Sequence, residues 1–213
     1  MSIDVTIVDY GRGNLLSVAR ALEHLGARVV LADSPDGLKT AGHLILPGVG
    51  AFGGAMQQLN SQGLSDHLKV HVAKGRPLLG ICLGMQLLLD RGEEFGNHDG
   101  LGLIHGDVIE MPALQPNGLP QKKPHIGWSP TMPASGHDWD HTIFEGVAPK
   151  TNHYYVHSFI SNPTNISHCL AVTDYNGHEL TAAIQHENII GVQFHPEKSG
   201  PAGLSVLSNF LRL

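Results

Sequence analysis

The chain has 213 residues, of which 41% are hydrophobic, and this is enough for one domain of ordinary size with a packed core. Its net charge of -6 argues against a dedicated nucleic-acid surface, which needs clustered lysine and arginine. No apolar stretch approaches the roughly 18 residues of a membrane span, and the N-terminus does not resemble a signal peptide. We therefore expect a cytoplasmic protein without nucleic-acid or membrane partners.

The first half of the sequence alternates β-rich and helical patterns. Apolar residues spaced three and four apart indicate helices. The strands are predicted at 5–9, 28–32, 43–46 and 77–82, and the helices at 15–25, 54–73 and 83–90. Strands that alternate with helices form parallel sheets covered on both faces. We therefore predict an α/β fold with an open, mostly parallel central sheet flanked by helices, as in flavodoxin-like proteins.

The second half has a different pattern. Residues 114–149 hold six of the 13 prolines and are predicted to be rich in loops. Further strands are predicted at 154–160, 169–173, 181–185 and 189–194, before a final helix at 202–213. These strands form either an antiparallel extension of the same sheet or a small second sheet. No repeat or linker interrupts the chain, so we interpret residues 1–213 as a single domain.

A cysteine lies where a predicted strand meets a predicted helix, in the segment GICLG at 80–84. This is the nucleophile-elbow pattern with Cys82 in place of serine. The glycines allow a tight turn that exposes the thiol, and the helix N-terminus favours a thiolate. A buried, unreactive Cys82 is the alternative, since free cysteines are commonly core residues.

A base for this nucleophile is offered by the segment QFHPE at 193–197. Side chains alternate along an extended segment, so His195 and Glu197 are expected on one side, with the carboxylate orienting the imidazole. The alternative is an exposed strand end with an incidental ion pair. A glycine-rich turn, PGVGAF at 47–52, follows another strand. We predict an oxyanion hole from the Leu83 amide and an amide of Val49 or Gly50. The alternative, which the spacing alone does not exclude, is an ordinary strand-to-helix turn.

These motifs together resemble the class I, triad-type glutamine amidotransferases, and within them the glutaminase subunits of imidazole glycerol phosphate synthases. The resemblance covers residue 4 to the C-terminus, with the motifs in the expected order. It rests on the segments DYGRGN (9–14), PGVGAF (47–52), GICLGMQ (80–86), PHIGW (124–128) and QFHPEKS (193–199).

The resemblance implies a Cys82–His195–Glu197 triad that hydrolyses glutamine to glutamate and ammonia. It implies substrate contacts at Gln86, Glu94, His157 and Ser158, and an interface near the ammonia exit at Asn14, Trp128 and Lys198. The partner of the implied heterodimer is a (β/α)8-barrel cyclase subunit. This subunit uses the ammonia to make imidazole glycerol phosphate and an aminoimidazole carboxamide ribotide (AICAR) in histidine biosynthesis. No cofactor is implied.

Two other interpretations keep the fold. One is a stand-alone cysteine hydrolase, such as a peptidase or γ-glutamyl hydrolase, and the other is a non-catalytic regulatory subunit. A metal site is not predicted. His67 and His71 are four residues apart, a spacing that suits a helical metal site, but the sequence offers no obvious third ligand. Cys169 lies in an apolar run and is interpreted as a core residue.

Overall fold

The computed structural model describes residues 3–213. In that part of the chain, no helix is long and apolar enough to cross a membrane. The helices are α1 (Leu15–His24), α2 (Pro35–Leu38), α3 (Phe52–Ser61), α4 (Leu64–Ala73), α5 (Leu83–Gln86) and α6 (Gly200–Phe210), with 3-10 turns at Ile166–His168 and Pro196–Lys198. The strands are β1 (Asp4–Val8), β2 (Arg28–Ala32), β3 (His43–Gly48), β4 (Leu78–Cys82), β5 (Arg91–Gly92), β6 (His98–Asp99), β7 (Gly106–Glu110), β8 (His125–Pro133), β9 (Thr151–His157), β10 (Phe159–Pro163), β11 (Cys169–Tyr175), β12 (His178–His186) and β13 (Ile189–Val192).

A nine-stranded sheet forms the centre of the fold, in the order β2-β1-β3-β4-β13-β12-β11-β8-β9. The strands from β2 to β13 in this order run parallel to their neighbours. From β13 through β12, β11 and β8 to β9, each neighbouring pair is antiparallel. The predicted α/β class, with a parallel centre and an antiparallel extension from the C-terminal half, is confirmed.

Each face of the parallel strands is covered by helices. Along β3, Leu44 and Leu46 are fully buried in a cluster that includes residues of α3 and α4. Ile45 points to the opposite face and is fully buried in a cluster with residues of α1 and α6. Burial of each such side chain contributes about 1.5–3 kcal/mol. Near-continuous apolar strands are therefore needed here, and the carboxyl ends of these strands are held rigidly.

A second sheet of four strands, in the order β10-β7-β5-β6, lies beside the first. Residues 91–113 were assigned no element from the sequence, although they contain β5 and β6, of two residues each, and the five-residue strand β7. The predicted strand at 154–160 was wrong, since β9 ends at His157 and β10 begins at Phe159 in the other sheet. The antiparallel extension of the central sheet and the small second sheet, which were predicted as alternatives, therefore both occur.

Three further boundary predictions were wrong. The single helix at 54–73 is two helices, because Gly63 adopts a left-handed conformation with φ 68° between them. The helix at 83–90 stops after Gln86, since the amides of Leu88 and Leu89 bond only three residues back and the chain then enters β5. The supposed loop at 114–149 contains the nine-residue strand β8, whose two prolines and one glycine favoured a loop interpretation.

Candidate active site

Cys82 sits at a strained turn between β4 and α5. Its backbone has φ 55° and ψ -112°, a conformation that residues other than glycine rarely adopt. Such a residue costs about 1–3 kcal/mol and persists only where the surrounding structure imposes it. The turn presents the otherwise buried Cys82 to a cavity of about 240 Å³. This is the geometry expected of a nucleophile elbow.

The glycines that flank the cysteine are required by close backbone contacts. A Cβ atom on Gly84 would lie 1.8 Å from the carbonyl oxygen of Leu46, on the neighbouring strand β3. A Cβ atom on Gly80 would lie 2.6 Å from the carbonyl oxygen of Gly84 itself. The main chain thus closes on itself around Cys82, and larger residues at either position would open the turn.

The cavity brings together residues that are far apart in the sequence. They come from the ends of β3, β4 and β9, from the α5 turn, from the loop after β5 and from the segment after β13. Its lining consists of Val49, Gly50, Cys82, Leu83, Gln86, Glu94, Val156, His157, Ser158, Phe159 and His195.

His195 and Glu197 form a buried pair. The Nδ1 atom of His195 donates to Oε1 of Glu197 at 2.9 Å, and the side chains are only 4% and 1% exposed. The predicted extended segment was wrong in part. His195 is extended, with φ -98° and ψ 97°, but Glu197 lies in the 3-10 turn Pro196–Lys198, which folds the carboxylate back towards the ring.

The charge on His195 is set by its two neighbours. Burial by itself lowers the pKa of His195, but the Cys82 sulfur and the Glu197 carboxylate together outweigh it and raise that pKa to about 9. The Nε2 atom is buried and has no hydrogen-bond partner within residues 3–213. At neutral pH the ring is therefore an imidazolium with one uncommitted N–H, on the wall of the cavity that holds the thiol.

Gln193 is a site residue to which the sequence analysis assigned no role. Its Nε2 atom lies 3.7 Å from Sγ of Cys82, and its Oε1 atom accepts from Nε2 of Gln86 at 2.9 Å. The Gln86 amide also donates to the carbonyl oxygen of Phe159 at 3.1 Å. Gln193 precedes His195 by two residues, so the period-2 pattern of a strand was the signal that could have identified it. The chain of amides orients the sulfur.

The glycine-rich turn lies beside the elbow because of strand register. Gly48 at the end of β3 pairs with Cys82 at the end of β4. The next residues of both strands, Val49 with Gly50 and Leu83, consequently lie side by side on the cavity wall. Gly50 has φ 98°, which glycine adopts readily and other residues do not. The candidate oxyanion donors are thus gathered near the sulfur.

The predicted substrate contacts all line the cavity, but they differ in how many of their polar atoms already have hydrogen-bond partners within the protein. Oε2 of Glu94 accepts from the amide of Phe52 at 2.8 Å. Both ring nitrogens of His157 are engaged, with the carbonyl of Phe159 at 2.9 Å and with Nδ1 of His125 at 3.1 Å. His157 therefore shapes the wall, and Ser158 is the better placed of the two to contact a ligand.

His125 is a second residue without an assigned role in the sequence analysis. Burial lowers the pKa of both His125 and His157 to about 4, so both rings are neutral at pH 7. Because the carbonyl of Phe159 can only accept, the network assigns His157 Nε2 as an acceptor from His125. Ser129 completes the network at 2.8 Å from His125 Nε2. This buried chain fixes the wall formed by β9.

The predicted interface residues are arranged in two places. The Trp128 ring is 56% exposed and meets Tyr154 edge-on, with ring centroids 6.1 Å apart. The Nζ atom of Lys198 lies 5.8 Å from the centroid of the Tyr154 ring, and His195 is 6.5 Å from Tyr154. Tyr154 thus lies between the exposed Trp128 and His195. Asn14 directly precedes α1 and makes no side-chain cap there.

The remaining singled-out side chains have local partners. His67 contacts the carbonyl of Gly63 at 3.1 Å, and His71 contacts that of Pro77 at 3.0 Å. Within residues 3–213, no group of three potential ligands is arranged to hold a metal ion. Cys169 is buried, and this burial raises the pKa of its thiol.

Comparison with known proteins identifies the family. The family model described as "Glutamine amidotransferase class-I" matches residues 6–213. The chain belongs to the class I glutamine amidotransferases. The resemblance inferred from the motifs is confirmed, and so is the prediction that the protein is an amidotransferase enzyme.

Relatives of this amidotransferase resemble it over nearly its whole length. It is 46% identical over 210 residues to "Imidazole glycerol phosphate synthase subunit HisH 1" of Legionella pneumophila (strain Lens), covering 98% of this chain and 99% of the relative. It is 42% identical to "Imidazole glycerol phosphate synthase subunit HisH" of Sulfurimonas denitrificans, with coverage of 98% and 97%.

The fold is shared with a solved structure, PurLQS from Thermotoga maritima, with a TM-score of 0.75 at 19% identity and coverage of 100% and 99%.

Proposed function

We propose that this amidotransferase is the glutaminase subunit of an imidazole glycerol phosphate synthase, with residues 1–213 as its single domain. The observation that supports this most directly is the strained Cys82 in one cavity with His195, whose ring is hydrogen-bonded to the buried Glu197. The names of relatives that are 42% and 46% identical over nearly the whole chain support the synthase assignment.

In the proposed reaction, Cys82 is the nucleophile. Its thiolate attacks the side-chain amide carbon of glutamine and forms a tetrahedral oxyanion. The C–N bond then breaks, and His195 gives its proton to the leaving ammonia, which leaves a thioester on Cys82. A water molecule, deprotonated by His195, attacks the thioester through a second oxyanion, whose collapse releases glutamate and regenerates the Cys82 thiolate beside the protonated His195. Glu197 keeps the imidazole oriented and stabilises its charged form.

The oxyanion of each step needs donors that are already in place. The Leu83 amide and an amide of Val49 or Gly50 are proposed for this role, because strand register puts them beside the sulfur. Gln86 and Ser158 are proposed to contact the substrate, and His157 to shape its site. Glu94 is proposed to bind the amino group of glutamine, since a carboxylate on the cavity wall complements an ammonium ion.

Ammonia is proposed to pass directly to a (β/α)8-barrel cyclase subunit in a heterodimer. In neutral water most ammonia becomes ammonium, which is not a nucleophile, so a closed passage preserves the reactive form. Exposed Trp128, together with Lys198 and Asn14, is proposed as the docking surface. The cyclase then completes the synthesis of imidazole glycerol phosphate and AICAR in histidine biosynthesis.

The test uses Cys82→Ala in the presence of the cyclase subunit. Glutamate release is expected to fall to background, because no other group can form the thioester. Synthesis from added ammonium salts should remain at the wild-type level, since that chemistry belongs to the partner. Persisting glutaminase activity in this variant would contradict the proposal.

A stand-alone hydrolase is the competing function for the same triad. It would hydrolyse glutamine at full rate without a partner, whereas the proposed subunit is expected to be slower alone than in the complex. Comparison of wild-type turnover with and without the cyclase therefore separates the two. A non-catalytic subunit is also testable, since a glutamine-like chloroketone should then fail to label Cys82.

A further inference from the structure

A hydrogen bond links the proposed substrate residue Glu94 to the start of α3. The amide of Phe52 donates to Oε2 of Glu94 at 2.8 Å, between residues 42 positions apart in the sequence. Phe52 is the first residue of this ten-residue helix, and Ala51 before it provides no side-chain cap. A carboxylate is favoured at this place by the unpaired amides of a helix N-terminus. Glu94 therefore caps α3 from a distant loop.

The capped residue ends the turn that carries the candidate oxyanion donors. At one end of this turn, Gly48 pairs with Cys82 in the parallel sheet. At the other end, Glu94 holds Phe52. Val49 and Gly50 lie between these two anchors and line the cavity with Glu94. Because Gly50 has φ 98° and no side chain to restrain it, the anchors are what limits its conformation.

The loop that carries Glu94 is itself firmly placed. The amide of Glu93 donates to the carbonyl of Val108 at 3.0 Å, and that of Gly96 to the carbonyl of Glu93 at 3.2 Å. Gly92 approaches the fully buried Phe52 ring so closely that a Cβ atom would lie 2.6 Å from it. The Glu94 carboxylate and the start of α3 are thus held together by packing as well as by the hydrogen bond.

We propose that Glu94 is a positioning residue for the 48–51 turn in addition to its role in binding the amino group of glutamine. This inference rests on the proposed function. A carboxylate has two oxygens, so one can hold Phe52 while the other receives the substrate ammonium. The same side chain then fixes the amino end of glutamine and the turn that must donate to the oxyanion. Substrate recognition and transition-state stabilisation would then both depend on the Glu94 carboxylate.

The two roles are separated by Glu94→Gln and Glu94→Ala. The glutamine variant loses the charge that attracts ammonium but keeps an oxygen that can accept from Phe52, whereas the alanine variant loses both. With glutamine and the cyclase subunit, E94Q is expected to raise KM about tenfold and to keep kcat within about threefold. E94A is expected to lower kcat by a further factor of about ten, as one lost hydrogen bond implies. Glu93→Ala, an exposed neighbour, should change neither constant.

A substrate analogue without the amino group, glutaramate, removes the first role altogether. On glutaramate, E94Q should equal or exceed the wild type in kcat/KM, and E94A should remain about tenfold below E94Q. Amide hydrogen exchange at Phe52 gives a readout without substrate. Protection should persist in E94Q and be lost in E94A.

Equal kcat values for E94A and E94Q, with Phe52 equally protected in both, would overturn the positioning role and leave the glutaminase proposal standing. A wild-type protein that releases no glutamate, even with its partner, would overturn the proposed function itself.

Discussion

Replacement of Glu197 by glutamine tests whether a buried carboxylate controls the protonation of His195, the proposed catalytic base. The amide oxygen can still accept from Nδ1 of His195, so the 2.9 Å contact and the orientation of the ring are kept. Only the negative charge is lost. Because Glu197 and the Cys82 sulfur together raise the pKa of His195 from its ordinary 6.5 to about 9, removal of the carboxylate charge must lower it.

The size of the effect follows from the usual influence of one adjacent charge. A single opposite charge at this distance moves a pKa by about 1–3, so the alkaline limb of kcat/KM should move from about pH 9 to about pH 6–8. With a pKa of about 7, the variant is roughly tenfold less protonated than the wild type at pH 8, but nearly equally protonated at pH 6. The loss of activity should therefore grow with pH.

The same shift predicts a change in stability. A histidine whose folded-state pKa exceeds its unfolded-state pKa of 6.5 adds stability that is complete below pH 6.5 and is lost as pH rises through about 9. The E197Q variant should accordingly be less stable than the wild type by about 1–4 kcal/mol at pH 6, with a smaller difference at pH 9.5. Urea unfolding at both pH values measures this.

The control for both measurements is Glu179→Gln, on an exposed position of β12, which should behave as the wild type. An alkaline limb that stays at pH 9 in E197Q would refute the reasoning, because the thiol alone would then account for the raised pKa of His195.

Two further predictions concern the elbow and the amides behind it. Gly84→Ala should destabilise the protein by about 3 kcal/mol or more, because its Cβ would meet a backbone carbonyl of β3. The control is Gly42→Ala, where an added Cβ would have no atom within 4 Å. In the same urea titration, its free energy of unfolding should differ from that of the wild type by no more than about 1 kcal/mol. Gln193→Leu removes the amide beside Sγ of Cys82 and the acceptor for Gln86. The variant should fold, and its kcat should fall about tenfold. An unchanged alkylation rate of Cys82 would contradict a role of Gln193 in positioning the sulfur.

Much of the parallel half of the fold could be predicted from the sequence because its strands are continuous apolar runs. The predicted bounds of β2 match those of the structure, since Gly26 and the charged residues near the strand leave little choice. The antiparallel half was harder. Strand β8 contains two prolines and a glycine that local patterns assign to loops, and pairing with β9 and β11 decides its conformation instead. Tertiary contacts of this kind leave no local signal.

At the site, patterns that are local in sequence identified the residues with chemistry but not the residues that orient them. Cys82 and His195 carry reactive groups inside short, recognisable segments. His125 acts through a hydrogen bond to a residue 32 positions away, which no spacing rule predicts. The period-2 pattern of a strand links Gln193 to His195, but no spacing rule predicts its contact with Cys82, 111 positions away. The contact between His195 and Glu197 was expected, yet the 3-10 turn that makes it was not.

The arrangement of the parallel strands explains how three distant segments come to share one cavity. Strand β4 lies between β3 and β13 and is parallel to both, although β13 follows it by more than a hundred residues. The carboxyl ends of parallel neighbours meet at one edge of a sheet, which is where open α/β folds bind ligands. The glycine turn after β3, the elbow after β4 and the Gln193–Glu197 segment after β13 must therefore lie side by side. Since β13 is also the strand where the antiparallel half begins, that half supports the segment that carries His195 through β12 and supplies the cavity wall through β9.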